Sequence, residues 1–289
     1  MTIQKALTEG SSVLKAAGIE TPSLDVSLLL SEVTNKSRAA LYANPLLELS
    51  EDKLIRFRDL ILKRKSGQSL AYILGKKEFY GLEFMVNPAV LVPRPDTETL
   101  VEISLKNRET RKNEIGIRVL DLCTGSGAVA IALKHEIPEL EVWAADISAE
   151  ALEIAQINAG RLLPPESIHF CQGNLFEALG GTKNDKIHFS LIVSNPPYIP
   201  SEEIVALAPE VRCEPRIALD GGHDGLDIIR AIISGAPDFL RPSGTLLLEA
   251  DPRQMDKITP LMEKAGFSEI QTYPDLSSRQ RVIGAHLPL

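Results

Sequence analysis

The chain has 289 residues, 44% hydrophobic and 24% charged, which is enough to bury a sizeable core and excludes a disordered, collagenous or disulfide-scaffold protein. Thirty-one basic against 39 acidic residues leave a formal charge of -8, which disfavours holding nucleic acid mainly through its phosphates. Cys123, Cys171 and Cys213 stand far apart with no CxxC or Cys/His cluster, so neither a zinc site nor a disulfide framework is expected, and a reducing cytoplasm fits best. The N-terminus lacks an apolar h-region and no stretch reaches about 18 apolar residues, so neither export nor a membrane span is expected.

In chain order, residues 1–75 read as a helical bundle. Ile3, Ala6, Leu7, Val13, Leu14 and Ala17 follow helical spacing, with Gly18 as the stop. Ser23 is the expected cap of a second helix. A further helix starts at Ser50, with Glu51 and Asp52 at its positive end, Leu54, Phe57 and Ile61 on one face and Lys63, Arg64 and Lys65 at its end. Residues 76–95 change to short β-like runs, EFYGLEFMV and AVLVP, punctuated by Gly81, Pro88, Pro93 and Pro95, the pattern of a hairpin linker.

From 96 to 289, strand-like and helix-like segments alternate. Asp96 or Thr97 is the expected cap of the first helix. The strands are IRVLDL, EVWAAD, IHFCQG, FSLIVS, GTLLLEA, FSEIQTY and RVIGAHL. Apolar runs separated by helices predict a doubly wound α/β fold, a mostly parallel sheet of seven strands covered on both faces.

The first of these strands runs into Asp121-Leu122-Cys123-Thr124-Gly125-Ser126-Gly127 and then a helix. Glycines at such a turn let the backbone approach a ligand and present amides at a helix N-terminus. The run from Gly125 to Ala130 also satisfies GxGxxA, and Asp146 follows about 20 residues later, where a ribose-binding acid belongs. This loop fits a dinucleotide and S-adenosylmethionine (SAM) equally. Asp121 is an acid suited to a methionine ammonium group, or to stabilising the turn.

The fourth strand ends in Asn195-Pro196-Pro197-Tyr198, a rigid loop at the sheet edge where active sites form. The Asn195 side-chain oxygen and the Pro196 carbonyl can accept both protons of a planar NH2 group, leaving its lone pair out of plane, while Tyr198 offers a flat face for stacking. Methyl transfer needs that lone pair in line with a methyl-sulfonium bond.

The tetrapeptide resembles the [Asn/Asp/Ser]-Pro-Pro-[Tyr/Phe/Trp] signature of amino methyltransferases. With LVPRPDTE, DLCTGSGAVAIAL, ADIS, LIVSNPPYIP, EPRIALDGGHDGLDIIR and DLSSRQRVI in order, nearly the whole chain is similar to the release factor glutamine methyltransferases of the HemK or PrmC family. That resemblance implies a Rossmann-like SAM-dependent domain and methylation of the N5 amide of the Gly-Gly-Gln glutamine in class 1 peptide-chain release factors. It also implies SAM contacts from Cys123, Thr124, Gly125, Ser126, Gly127, Asp146, Leu175 and Asn195, and a glutamine clamp of Asn195, Pro196, Pro197 and Tyr198, with no metal. Cys123 replaces the family's usual glycine, so its side chain is expected to point away from the ligand, and Asn174 stands where an aspartate is common. Arg94 and Glu98 suit either closure over the cofactor or an interdomain ion pair. Glu214, Pro215 and Arg216 suit a loop beside the substrate, and His223 suits a plain loop residue. A monomer is expected, with no membrane or direct nucleic-acid partner. The alternatives are a ribosomal-protein glutamine methyltransferase, a DNA adenine methyltransferase and a dinucleotide oxidoreductase, the last leaving the tetrapeptide unexplained.

Overall fold

The computed structural model describes residues 1–110, 116–180 and 187–289 and divides into two compact units. The first unit comprises Met1–Lys76 together with Ala208–Cys213. It holds α1 (Ile3–Ala16), α2 (Pro22–Thr34), α3 (Arg38–Ala43), α4 (Glu51–Lys65), α5 (Leu70–Leu74) and, from much later in the chain, α9 (Pro209–Arg212). Ile3, Leu14, Leu29, Leu30, Phe57 and Ile61 meet in its core. Gly10 lets α1 come close, since a Cβ there would stand 3.0 Å from Val26 and 3.2 Å from Phe57. Helix α2 starts two residues earlier than a Ser23 cap implies, with Thr21 in the cap position and Pro22 in its first turn, where a missing N–H costs nothing. The short α3 and α5 lack a periodic run and are set by Ser37 and Ser69, whose hydroxyls accept from the Ala40 and Tyr72 amides.

The second unit, Lys77–Leu207 and Glu214–Leu289, carries the sheet. It opens on the hairpin of β1 (Lys76–Phe79) and β2 (Leu82–Met85), whose turn residues Tyr80 and Gly81 both have positive φ, +50° and +73°. Such φ values match the twist of a tight hairpin. The second expected run, Ala89–Pro93, forms no strand, because prolines on either side remove ladder donors; a 3-10 turn over Pro95–Thr97 leads instead into α6 (Glu98–Thr110), and neither Asp96 nor Thr97 caps it.

There follow β3 (Arg118–Leu122), α7 (Ala128–Glu136), β4 (Glu141–Asp146), α8 (Ala149–Leu162), β5 (Ile168–Gln172), β6 (Phe189–Ser194), α10 (Asp227–Gly235), β7 (Leu240–Glu249), α11 (Met255–Lys264), β8 (Ser268–Pro274) and β9 (Gln280–His286). The sheet order is β5-β4-β3-β6-β7-β9-β8, parallel through β7, with β9 and β8 antiparallel. Val119 and Val193 face one apolar cluster and Leu120 and Ile192 the other, so both faces are buried, as the apolar runs require. Strand β7 starts at Leu240, ahead of the expected Gly244. Its register against β6 shifts between Phe189 and Leu191, and Ser243 takes φ +59°. That bulge accommodates Pro242.

The strand order reverses between β3 and β6. Leu122 pairs with Ala145 on one side and Ser194 on the other, so the glycine loop, Asp146 and Asn195 emerge side by side. This is the switch point at which open α/β sheets bind ligands.

Candidate functional site

The loop after β3 is tied to the end of β4. Asp146 Oδ2 accepts from the Gly125 amide at 2.8 Å, Oδ1 accepts from the Ser148 amide at 3.0 Å, and the Thr124 amide bonds the Ala145 carbonyl. Burial raises the Asp146 pKa while these backbone amides pull it down. Gly125 has φ +55° and nothing within 4 Å of a Cβ position, whereas a Cβ on Gly127 (φ +79°) would meet Ile131 at 2.9 Å. One glycine thus leaves space for a ligand, and the other lets α7 pack closely.

A cleft with about 810 Å³ of empty space, measured out to solvent, opens over these strand ends. Its walls include Cys123, Gly125, Asp146, Leu175, Asn195 and Pro197, which the sequence had spread over 75 positions. Apolar flanks come from Val90 and Leu91 on one side and from Ile147, Ile217 and Ile228 on others. The remaining expected residues stand behind this surface. Asp121, 1% exposed, accepts from the Thr124 hydroxyl at 2.6 Å and the Ala130 amide at 3.2 Å, and burial pushes its pKa up to about 7. Thr124 and Ser126 are buried with it. Cys123 adopts φ +58°, a conformation natural to glycine, and its thiol pKa is raised by burial and by Asp146, with Ser194 pulling it back in part.

The tetrapeptide is braced from behind. Gln254 Nε2 donates to the Tyr198 carbonyl at 2.9 Å and the Gly225 carbonyl at 3.2 Å. A Cβ on Gly221 would lie 2.8 Å from the Pro197 carbonyl oxygen, and one on Gly225 2.3 Å from that of Tyr198. Gly221 and Gly225 of the GGHDG run are therefore needed for backbone contact with the loop. Asn195 Nδ2 donates to Thr97 Oγ1 at 3.0 Å, which leaves its Oδ1 as an acceptor. The Tyr198 hydroxyl donates to Glu249 Oε1 at 3.3 Å, and its pKa rises through burial and that carboxylate.

Glu249 ends β7 beside Asn195, since Ser194 pairs with Leu248. It is 1% exposed, with a pKa pushed up to about 7 by burial against the pull of Thr97, Arg281 and Tyr198. Arg281 itself contacts Asp96 at 2.9 Å and Asp275 at 3.6 Å. Thr97, Glu249, Arg281 and Gln254 were not foreseen. Signals were present in Thr97 and Arg281, which lie in the LVPRPDTE and DLSSRQRVI runs, and in Glu249, an acid that closes the apolar run GTLLLEA at the ligand edge of the sheet.

Arg94 pairs with Glu214 at 2.5 Å, and Glu214 also accepts from the Val92 amide, joining the two segments whose neighbours Leu91 and Ile217 flank the cleft. Both members lie in the second unit, so the pair is not interdomain. Glu98 accepts from the Tyr80 amide in the hairpin, Arg216 pairs with Asp220, and His223 is exposed. Asn158, fully buried on α8, bonds Met85 through both backbone atoms and the Ser126 carbonyl, anchoring hairpin and glycine loop together.

Residues 5–75 match the family described as PrmC N-terminal domain, and residues 97–211 the one described as methyltransferase small domain. The chain is 39% identical over 287 residues to the release factor glutamine methyltransferase of Geobacter sulfurreducens, covering 99% of this chain and 97% of that protein. It is likewise 39% identical over 287 residues to the one of Moorella thermoacetica, covering 99% of each. Among solved structures, the 16S rRNA N2 G1207 methyltransferase of T. thermophilus in complex with AdoMet and guanosine shares the fold, with a TM-score of 0.52 and 22% identity over 73% of this chain and 49% of that one.

Proposed function

The chain belongs to the release factor glutamine methyltransferase family, and from that premise we propose that it methylates the N5 amide of the Gly-Gly-Gln glutamine of class 1 release factors with SAM as donor. The observation that carries this reading is Asn195, anchored through its nitrogen to Thr97 with its oxygen left as an acceptor in a cleft that also holds Asp146 and Gly125. The cleft suits SAM chemically. Asp146 has lone pairs left for a ribose diol after its two amide bonds, Gly125 leaves room at the loop, and the apolar flanks suit a flat base. No helix among the described residues is long and apolar enough to cross a membrane.

Bound SAM would supply an electrophilic methyl on a sulfonium sulfur, with the carbon–sulfur electron pair going to sulfur as the amide nitrogen takes the methyl and one amide proton passing to solvent. The protein's part is to hold a poor nucleophile in line, an arrangement worth up to roughly 7 to 11 kcal/mol in favourable systems. Asn195 Oδ1 and the Pro196 carbonyl accept the two N–H groups and stabilise the positive charge that develops on nitrogen. Pro196 and Pro197 keep this loop rigid, and the Tyr198 ring supports the planar amide. Cys123, Thr124, Gly125, Ser126, Gly127, Asp146 and Leu175 make the donor side, with Asp121 supporting the turn. The enzyme acts in the cytoplasm as a monomer.

The test is mass spectrometry of an unmethylated release factor and, separately, a ribosomal-protein substrate, each incubated with the protein and SAM. The reading requires a single added methyl on the Gly-Gly-Gln glutamine. Modification of the ribosomal protein alone overturns the target but not the chemistry.

A further inference from the structure

The amide of Asn195 must present its oxygen, not its nitrogen, to the substrate, and the two ends of an asparagine side chain are alike in shape. What decides between them is what stands behind. Asn195 Nδ2 donates to Thr97 Oγ1 at 3.0 Å, and the Thr97 side chain lies near enough to the Glu249 carboxyl to pull its pKa down, so the hydroxyl proton has that carboxylate to turn toward. A hydroxyl has one proton; directed at a carboxylate, it leaves only lone pairs for Asn195, and only the NH2 end can satisfy them. We propose that Thr97 and Glu249 are positioning residues for methyl transfer, a relay that locks Asn195 with Oδ1 facing the substrate and polarises it toward negative charge. This rests on the role given to Asn195 above.

Thr97 is 4% and Glu249 1% exposed, so water does not compete for either bond. Glu249 accepts from the Tyr198 hydroxyl at 3.3 Å, so one carboxylate touches Tyr198 directly and acts on Asn195 through Thr97. Its other oxygen, Oε2, is buried with no partner. A buried acid with one empty oxygen costs stability, and such a cost is retained where the charge has a task. The charged groups around it are Arg281 on β9 and Asp96 in the turn before α6; Asp275 lies against Arg281, and Arg94 acts on Tyr198. Arg281 is drawn off by Asp96 and Asp275, so Glu249 keeps the charge-assisted bonds to the hydroxyls. Hydrogen bonds in series polarise one another, so negative charge on Glu249 strengthens the acceptor at Asn195 as positive charge grows on the substrate nitrogen.

The experiment compares the full-length protein with Thr97→Val, Thr97→Ser, Glu249→Gln and the Thr97→Val/Glu249→Gln double variant. Single-turnover methylation of an unmethylated release factor at saturating SAM is followed from pH 6 to 9, with SAM affinity measured separately by calorimetry. Thr97→Val and Glu249→Gln are each expected to be slower by about tenfold or more, with SAM affinity held within about twofold. Thr97→Ser recovers to within about threefold of the native rate, and the double variant is no slower than the slower single one, because both break one chain. The native rate climbs with pH as Glu249 ionises, and Glu249→Gln loses that climb. In protein labelled with 15N-asparagine, the Asn195 side-chain signals, identified by their loss in Asn195→Ala, shift over the same pH range in the native protein and stay still in Glu249→Gln. Native rate and pH dependence in Glu249→Gln, equal slowing in Thr97→Ser and Thr97→Val, or a flat Asn195 signal in the native protein each overturn the relay. A native protein that leaves the release factor unmodified counts against the proposed function instead, and the Asn195 titration then judges the relay alone.

Discussion

Both units bury carboxylates, but they compensate them differently. In the helical unit Asp25 meets Arg64 at 2.6 Å, with the side chains 3% and 6% exposed, and Thr21 adds a hydroxyl bond at 2.7 Å. In the α/β unit Asp121 and Glu249 are as deeply buried, yet their partners are hydroxyls and a backbone amide, and their pKa values climb to about 7. A carboxylate neutralised by a guanidinium serves the fold. One left to weaker donors at the ligand edge of a sheet keeps its field for the site, at a cost in stability.

The sharpest way to break this comparison is to remove each acid. Asp25→Ala strands Arg64 and is expected to lower the unfolding free energy by about 3 to 4 kcal/mol in urea titration, Glu210 at 2.6 Å and the Gln68 carbonyl holding back a larger loss. Glu249→Gln goes the other way at alkaline pH. A carboxyl whose folded pKa lies above its unfolded value binds more protons when folded, so its contribution is complete below the unfolded pKa of about 4.5 and is lost as pH rises through about 7. Between pH 5 and 8 the native protein should therefore lose about 3 kcal/mol on account of Glu249, and Glu249→Gln should flatten that decline in paired urea titrations. An unchanged slope would mean that Glu249 is compensated as fully as Asp25.

Smaller effects separate the two ends of the cleft. Asn195→Ala should slow single-turnover transfer by about 100-fold while SAM affinity measured by calorimetry moves by less than about threefold, since its bonds matter most as charge develops on nitrogen. Gly125→Ala should do the reverse: a left-handed φ of +55° is strained for alanine by about 1 to 2 kcal/mol, and the methyl enters the cleft. SAM binding should weaken by about tenfold with a smaller change in the rate at saturation. If both variants affect affinity and rate alike, the cleft has no such division of labour.

Local sequence carried much of this architecture. The seven strand segments stand close to where the sequence placed them; the central ones follow apolar runs because a strand buried on both faces needs such a run, whereas β8 at the sheet edge is mostly exposed. The glycine loop and the Asn-Pro-Pro-Tyr run were equally legible, each being a contiguous string whose residue types are dictated by backbone geometry. Less was visible wherever two distant segments decide the outcome. The early start of β7 depends on a bulge against β6, and the placement of Ala208–Cys213 with the helical unit involves the Arg64–Glu210 pair. Of the expected donor residues, Cys123, Gly125, Asp146 and Leu175 reach the cleft wall, whereas Asp121 turns back onto its own loop, a choice set by Thr124 and the Ala130 amide.

By itself the sequence determined the order of strands and helices, the two loops that meet at the switch point and the chemical types they bring there, since periodicity, glycine and proline act over a few neighbouring residues. Only the tertiary structure decided what stands behind Asn195. Thr97 is 98 residues away from it, and Glu249 is 51 residues from Tyr198. No local pattern marks a hydrogen bond across such a span; it exists because parallel strands bring their C-terminal ends level and exclude water from what lies between.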